Sequence, residues 1–271
     1  MRRMAVACGV LSLFGAMHES RAHDTVASDT VAYAIGSAYV LDSARHLYSE
    51  THCVSGDALT REVIYRDANE RLVAHKTLDF QTGPTTPSYM QRNFYSGESI
   101  AVELLQDSVD MVVRDRAGAG ATVRARLDTN QPLVIDAGFD AFIRDNWDAL
   151  LAGEEMRFQF PFAARESLVA LRIGPSRCSY DTGTDQCFLL ELDNWILRAV
   201  VDPIEIGYDA SLKRLARYRG LSNIGDDNGE GQVVDIRYRY DDLPAAACAV
   251  AETPGAETAL SFDVSSPVDR L

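Results

Sequence analysis

The sequence predicts a mainly β protein: a long antiparallel sheet, curved into a half-open barrel, with one inserted amphipathic α-helix. Three observations lead to this fold class. Apolar residues alternate with polar ones over most of residues 31–240, turn-forming residues separate the alternating runs, and one segment changes to a helical spacing. Alternation with period two is typical of half-buried strands, and strands joined by short turns must pair antiparallel.

The chain opens with a segment typical of a secretion signal. Residues 1–4 carry two arginines, residues 5–17 are almost entirely apolar, and residues 20–22 place small side chains at the expected cleavage point. Such a segment is removed from the mature protein, and this apolar run is too short to remain as a membrane anchor. We therefore expect residues 1–22 to be a signal peptide, and we expect a periplasmic or secreted protein without a stable membrane span.

The alternating runs predict the strands one after another. Their apolar faces are clearest at Ile100, Val102 and Leu104, at Val109, Met111 and Val113, at Val123 and Ala125, at Met156, Phe158, Phe160 and Phe162, and at Val234, Ile236 and Tyr238. Turn signals lie between runs at residues 67–70, 106–108, 118–120 and 227–230, where Gly, Asn and Asp favour tight turns. Residues 81–97 are too long for a simple hairpin, so we expect a long loop there.

One segment follows a helical spacing instead. Its large apolar residues recur at intervals of three and four: Phe139, Phe142, Ile143, Trp147, Leu150 and Leu151. That spacing places them on one face, which predicts an amphipathic helix over residues 138–152 that packs on the sheet. We expect residues 23–243 to form a single domain, followed by a poorly ordered tail over residues 244–271.

The cysteines indicate two disulfides. Of the five cysteines, Cys8 lies in the predicted signal peptide, which leaves Cys53, Cys178, Cys187 and Cys248. An even number in an oxidising compartment favours disulfides, and four cysteines allow three pairings. Cys178 and Cys187 bracket a turn-rich segment, which favours a bond between them and leaves Cys53 to pair with Cys248. A zinc site built from the four thiolates is the weaker alternative, because no C-x2-C pair is present.

This layout resembles the periplasmic lipoprotein-carrier proteins of the Lol type, and related uncharacterised exported families. The resemblance is carried by the signal peptide, the long antiparallel meander, the single inserted helix and the closing segments 204–208, 215–218 and 229–240. It implies a strongly curved sheet wrapped around a helical plug, with an apolar hollow for acyl chains. No diagnostic motif matches residue by residue, so the resemblance assigns no functional residue.

The net negative charge and the apolar face of the predicted sheet both limit the functions that the sequence allows. The formal net charge of −14 opposes binding to a phosphate backbone, so we expect no nucleic-acid partner. A sheet of many strands has a wider apolar face than one helix can cover, so the sheet must curl, close on itself or leave surface for a ligand. We expect a non-enzymatic protein without a cofactor, which binds or carries a hydrophobic or amphipathic ligand such as a lipid, or acts in envelope assembly. The predicted ligand contacts are Phe142, Trp147, Met156, Phe158, Phe160 and Phe162, with Tyr89 and Phe94 from the long loop.

A second hypothesis is an exported enzyme or a metal-binding protein. His46, Glu50 and His52 lie on one face of a predicted strand, at successive spacings of two. Imidazole and carboxylate groups arranged in this way can bind a transition metal or carry out acid–base chemistry. A polar outer face of the sheet would produce the same pattern.

A short basic run is unusual in so acidic a chain. It consists of Lys213, Arg214, Arg217 and Arg219. These side chains either receive an anionic head group or pair with acidic residues on the surface, as exposed charges commonly do.

Overall fold

A computed structural model of the protein describes residues 30–249, except positions 117, 129, 182–184, 200, 227–229 and 245–246. The predicted signal peptide and most of the predicted tail lie outside the described residues. Within these residues, fourteen strands form one continuous antiparallel sheet, and the long antiparallel sheet predicted from the sequence is thus present. The strands are β1 (Val31–Val40), β2 (His46–Val54), β3 (Thr60–Asp67), β4 (Leu72–Asp79), β5 (Ser88–Asn93), β6 (Ser99–Leu104), β7 (Ser108–Arg114), β8 (Gly120–Arg126), β9 (Met156–Phe162), β10 (Ser167–Ser176), β11 (Asp185–Leu192), β12 (Ile204–Asp209), β13 (Arg214–Gly225) and β14 (Gly231–Arg239).

The strand order brings the two ends of the sheet-forming chain together. Strands β1–β8 form one meander and β9–β14 form a second, and the last strand, β14, pairs with β1, with Ser37 opposite Arg237. The free edges of the sheet are therefore β8 and β9, which follow each other in sequence and share no ladder within the described residues. The sheet curls but does not close by hydrogen bonding.

The sheet covers part of its apolar surface by overlapping itself. One buried cluster joins both free edges: Val102, Val109, Met111, Ile135 and Ala163, with Leu168 packed against it. Leu168 lies on the opposite face of β10 from Leu171, which packs near the helices, because side chains alternate along a strand. The inner face of β6–β8 thus packs on the outer face of β9–β10, as in one turn of a spiral.

The predicted helix is present but divided. It consists of α1 (Gly138–Asp145) and α2 (Trp147–Leu151), separated at Asn146. The Asn146 side chain donates to the backbone carbonyl of Phe142 (2.8 Å), a local bond that competes with regular helix continuation. A further helix, α3 (Trp195–Arg198), is too short to produce a periodic pattern and was not predicted. None of the described helices has the length and apolarity needed to cross a membrane.

The expected long loop at residues 81–97 contains a strand, β5. Three of its residues, Tyr89, Gln91 and Asn93, share one face, so no apolar alternation reveals the strand. Gln91 is buried, and its amide donates to Asn93 Oδ1 (2.8 Å) and to the carbonyl of Asn223 (3.2 Å). The expectation of a loop was wrong because hydrogen bonds, rather than apolar contacts, satisfy the inner side of this strand.

Both predicted disulfides are present. The Cys53–Cys248 bond joins residues that are 195 positions apart, and the Cys178–Cys187 bond joins residues that are 9 apart. Arg66 also donates to the backbone carbonyl of Ala249 (3.2 Å). These contacts fasten residues 247–249, which belong to the predicted tail, to β2 and β3.

Candidate ligand site

Most of the predicted ligand residues lie between the helices and the sheet. Phe142, Trp147 and Phe158 are buried there, and Met156 and Phe160 are half-buried beside them. The ring centroids of Phe142 and Phe158 are 4.9 Å apart. Five residues of the larger buried group between the helices and the sheet, Phe142, Trp147, Leu150, Phe158 and Phe188, are called the helix–sheet cluster below.

The other predicted ligand residues do not join this cluster. Phe162, at the end of β9, is 37% exposed. Tyr89 lies under the Lys76 ammonium, whose Nζ is 5.3 Å from the ring centroid. Phe94 lies under the Arg92 guanidinium at 5.4 Å. The structure therefore brings together the residues predicted from the helix and, from β9, Met156, Phe158 and Phe160, but neither Phe162 nor the two residues predicted from the expected loop.

A buried carboxylate lies inside the curled sheet. Oε1 of Glu50 accepts a hydrogen bond from the Tyr238 hydroxyl (2.5 Å) and is 3.1 Å from His52 Nε2. The residue opposite Glu50 on β1 is Gly36, where a Cβ atom would lie only 2.8 Å from Glu50 Cγ and 2.9 Å from Tyr238 Cε1. Gly36 thus provides the space in which the acid and its two partners meet.

The third predicted metal ligand, His46, is not part of this group. Its Nε2 is 3.1 Å from Ser49 Oγ, near the start of β2. Over the described ranges, no group of three or more His, Cys, Asp or Glu side chains could hold a metal ion. The structure therefore joins Glu50 to His52 and leaves His46 elsewhere on the strand.

The environment of Glu50 favours its ionised form. Burial by itself would raise the pKa of this carboxyl. The hydrogen bond and the charge of His52 act in the opposite direction, as do the hydrogen bond from Tyr238 and the charge of Lys76, and the resulting pKa lies below its usual value. The carboxylate is thus stabilised by its partners.

This lowered pKa predicts a specific loss of stability in acid. A carboxyl whose folded pKa lies below its unfolded value contributes stability above the unfolded value, about pH 4.3 for Glu, and loses it as the pH falls through the folded value. We expect the free energy of unfolding of the wild type to fall more steeply below about pH 4.3 than that of Glu50→Gln. Urea denaturation at a series of pH values measures the difference. The control is Glu103→Gln, an exposed site on β6, which should follow the wild type; superimposable wild-type and Glu50→Gln profiles would contradict the prediction.

Two arginines lie against aromatic rings at one end of the sheet. The Arg61 guanidinium is 4.3 Å from the ring centroid of Phe80 and 5.8 Å from that of Tyr33, and the Arg214 guanidinium is 4.4 Å from that of Tyr240. The Nε atoms of both arginines are buried and have no hydrogen-bond partner in the described structure. We call Tyr33, Arg61, Arg214 and Tyr240 the arginine end.

The helices link this end to the helix–sheet cluster. Asp140 on α1 accepts a hydrogen bond from the Tyr208 hydroxyl (3.0 Å) and forms an ion pair with Arg144 (2.9 Å). The Tyr208 ring lies 5.8 Å from that of Trp147 on α2, and Nζ of Lys213 lies 5.4 Å from the Trp147 ring centroid. Cationic groups therefore adjoin the apolar cluster.

The tyrosines at this end keep their protons at neutral pH. Burial is the largest cause that raises the pKa of Tyr33 and of Tyr240, and the nearby Asp140 carboxylate raises both further. Arg61 acts in the opposite direction on Tyr33, and Arg214 does so on Tyr240. Both pKa values remain above that of a free tyrosine.

The basic run found in the sequence is divided between two environments. Arg217 donates to both carboxylate oxygens of Asp235 (2.6 and 2.5 Å), and Arg219 forms an ion pair with Asp42. For these two arginines, the alternative in which the basic run pairs with acidic residues is therefore confirmed. Lys213 and Arg214 lie over the rings of Trp147 and Tyr240 without an ion pair in the described structure, whereas Arg217 has both an ion pair and a ring, that of Tyr180, beneath it.

Comparisons with known proteins give no family for the chain. No family model matches it, and no curated protein matches it. A solved structure that is similar to it is the crystal structure of a β-barrel-like protein of a domain of unknown function, DUF1849, from Brucella abortus. The TM-score is 0.40 at 9% identity, over 80% of this chain and 100% of that chain. The function therefore has to be inferred from the chain's own geometry.

Sequence reasoning missed two cations of the interior, Arg61 and Lys76. Lys76 is 3% exposed, and its ammonium donates to Asp136 Oδ1 at 2.6 Å. In β4, Ala74, Lys76 and Leu78 alternate with more exposed residues, so all three side chains point to the inside of the sheet. A cation on the apolar face of such an alternating run is the signal that could have identified Lys76. Arg61 lies on the same face of β3 as the buried residues Val63 and Tyr65.

Two depressions of the surface lie away from this site. One, of about 630 Å³, adjoins the β6–β7 turn. The other, of about 490 Å³, is lined by Leu189, Leu221 and Val233 among others. Both are open to solvent, and neither is lined by a residue of the helix–sheet cluster.

Proposed function

We propose that this protein is an exported, non-enzymatic binding protein that holds or carries an amphipathic ligand. The proposal is carried by the position of Trp147, which is buried among the rings of the helix–sheet cluster while Lys213 lies over the same ring. An amphipathic molecule needs apolar surroundings for its chain and polar groups for its head within one molecular length. The helix–sheet cluster and the arginine end offer both.

In this proposal, α1 and α2 form a displaceable plug. They have 8 and 5 residues, which is too short for either to be stable as an isolated helix. Exposing Phe142 and Trp147 would cost about 1.5–3 kcal/mol for each side chain. An acyl chain regains about 0.8 kcal/mol for each buried methylene, so eight or more methylenes offset that loss. A long-chain ligand therefore suits the site better than a small apolar one.

Export is the second part of the proposal. Residues 1–22 have the layout of a secretion signal, and the chain contains two disulfides. Disulfides persist in oxidising compartments and are rare in the cytosol. A carrier of amphipathic molecules has an evident role in such a compartment, because these molecules must cross an aqueous space between membranes.

The two tryptophans of the chain allow a direct test. Trp147 is 3% exposed within the cluster, whereas Trp195 on α3 is 73% exposed. A Trp195→Phe variant therefore reports from Trp147 alone. We expect its fluorescence to change in a saturable manner when monomeric oleate is added, because the acyl chain displaces the plug. The Trp147→Phe variant reports from Trp195 alone and serves as the control, which should not respond.

A second measurement makes the test independent of the chosen probe. Mass spectrometry of protein purified gently from a bacterial periplasm should detect a co-purifying lipid. An unresponsive Trp147 together with lipid-free protein would refute the carrier proposal.

A further inference from the structure

We infer that the arginine end is an anion site, at which Arg61 and Arg214 bind the carboxylate or phosphate head group of the ligand. This inference rests on the proposed function, because it specifies which class of amphipathic molecule the protein takes. Its basis is the juxtaposition of two ring-stacked arginines, each with an unpartnered buried Nε, and the apolar cluster that begins at Trp147.

Arg61 and Arg214 lack the direct carboxylate partners that Arg172 and Arg217 have. Arg172 donates to Glu155 and Glu191, and Arg217 donates to Asp235. In contrast, neither Arg61 nor Arg214 has a carboxylate oxygen within 4.0 Å of its guanidinium nitrogens among the described residues. Arg61 still forms a hydrogen bond with Tyr33, and the charge of Arg214 acts on the Asp209 carboxylate. In a chain of net charge −14, an anion would add to each guanidinium the direct partner of opposite charge that it lacks.

Two carboxylates near the arginine end have hydrogen-bond partners of their own. The Asp140 carboxylate, which acts on both tyrosines of the arginine end, accepts from Tyr208 and pairs with Arg144. The Asp209 carboxylate, opposite Arg214 on β12, accepts from the backbone amides of residues 211 and 212. Neither carboxylate satisfies the buried Nε of an arginine, so a ligand oxygen would supply the missing acceptor.

Ring stacking makes these arginines suitable receptors. A guanidinium that packs over an aromatic face is held in place, and its planar set of N–H donors matches the two oxygens of a carboxylate or phosphate. Because Phe80 and Tyr240 hold the guanidinium groups, little side-chain freedom is lost when an anion binds. Lys213, over Trp147, adds a third positive charge on the side of the apolar cluster.

The direction of the ligand follows from these positions. The head group would lie at the arginine end, and the acyl chain would pass the Tyr208 and Trp147 rings into the helix–sheet cluster. Fatty acids, phospholipids and free phosphate share the required oxyanion. They differ in the apolar chain, so experiments with matched probes can distinguish them.

The test uses the full chain with Trp195→Phe as the fluorescence background. The probes are oleate, oleyl alcohol, dodecyl phosphate and inorganic phosphate. We expect oleate to bind at least tenfold more tightly than oleyl alcohol, which has the same chain without the charge. Arg61→Gln and Arg214→Gln should each weaken the binding of oleate and of dodecyl phosphate about tenfold, because each substitution removes charge-assisted hydrogen bonds. The affinity of both variants for oleyl alcohol should stay unchanged. The matched control is Arg126→Gln on β8, which removes the same charge from a side chain that is 86% exposed and should change nothing.

The outcomes separate the two proposals. Equal affinity for oleate and oleyl alcohol would overturn the anion site and leave the carrier function standing. Arginine-dependent binding of inorganic phosphate without binding of any amphiphile, measured by calorimetry, would keep the anion site and overturn the carrier function. Failure of all four probes would overturn both. If Arg61→Gln also loses oleyl alcohol, its fold is damaged, and Arg61→Lys then decides: a retained preference for oleate supports the site, and a lost preference overturns it.

Discussion

Replacing Phe158 with Ala is expected to lower the free energy of unfolding by about 3–5 kcal/mol. The Phe158 side chain is completely buried on β9, and its ring lies 4.9 Å from that of Phe142 and 5.8 Å from that of Phe139. The substitution leaves a cavity between α1 and the sheet, where close packing on both sides limits relaxation. Urea denaturation at pH 7 measures the loss.

The same strand supplies a matched control for this prediction. Phe162 lies four residues along β9, in the same alternation phase, but it is 37% exposed. Phe162→Ala should therefore cost about 1–2 kcal/mol, less than Phe158→Ala, since part of the ring is already in solvent and no enclosed cavity forms. Comparable losses for the two variants would show that the helix–sheet cluster is not the stabilising core described above.

The second large effect is expected on removal of the Cys53–Cys248 disulfide. This bond closes a loop between residues 195 positions apart, and in the chain-entropy treatment its loss lowers the free energy of unfolding by about 5 kcal/mol. The variant is Cys53→Ser with Cys248→Ser, and thermal or urea unfolding under non-reducing conditions measures the change.

The other disulfide provides the comparison. Cys178→Ser with Cys187→Ser opens a loop between residues only 9 apart, so the same treatment gives about 2–3 kcal/mol. The order of the two losses is the critical result. A smaller loss for the long loop than for the short one would mean that the unfolded chain is already compact around residues 53 and 248.

Much of the architecture follows from local patterns in the sequence. Alternation revealed β6, β7, β9 and β14, because each has one apolar face that the core must cover. The spacing of Phe142, Trp147 and Leu150 located the helical segment on the sheet. The turn-rich segment between Cys178 and Cys187 predicted a bond between these two residues. Because only four cysteines remain after the signal peptide, this bond also predicted the one between Cys53 and Cys248.

The remaining features depend on contacts between distant parts of the chain. β5 was missed because Gln91 replaces an apolar residue on its inner face and is satisfied by Asn223, which lies far along the sequence. The overlap of β6–β8 on β9–β10 follows from the curvature of the whole sheet, which no local window contains. The arginine end combines β1, β3, β13 and the residue after β14, so Arg61 and Arg214 have no shared sequence signal.

The pairing of β14 with β1 has a consequence for biogenesis. A polypeptide is made from its N-terminus, so β1 obtains its first neighbour, β2, at once but waits for its second until almost the whole chain has been made. During that interval one edge of β1 exposes unpaired backbone N–H and C=O groups. Completion also depends on the most distant pairing in the molecule, which makes folding slow. Until β14 pairs with it, this edge of β1 is open to pairing with other chains.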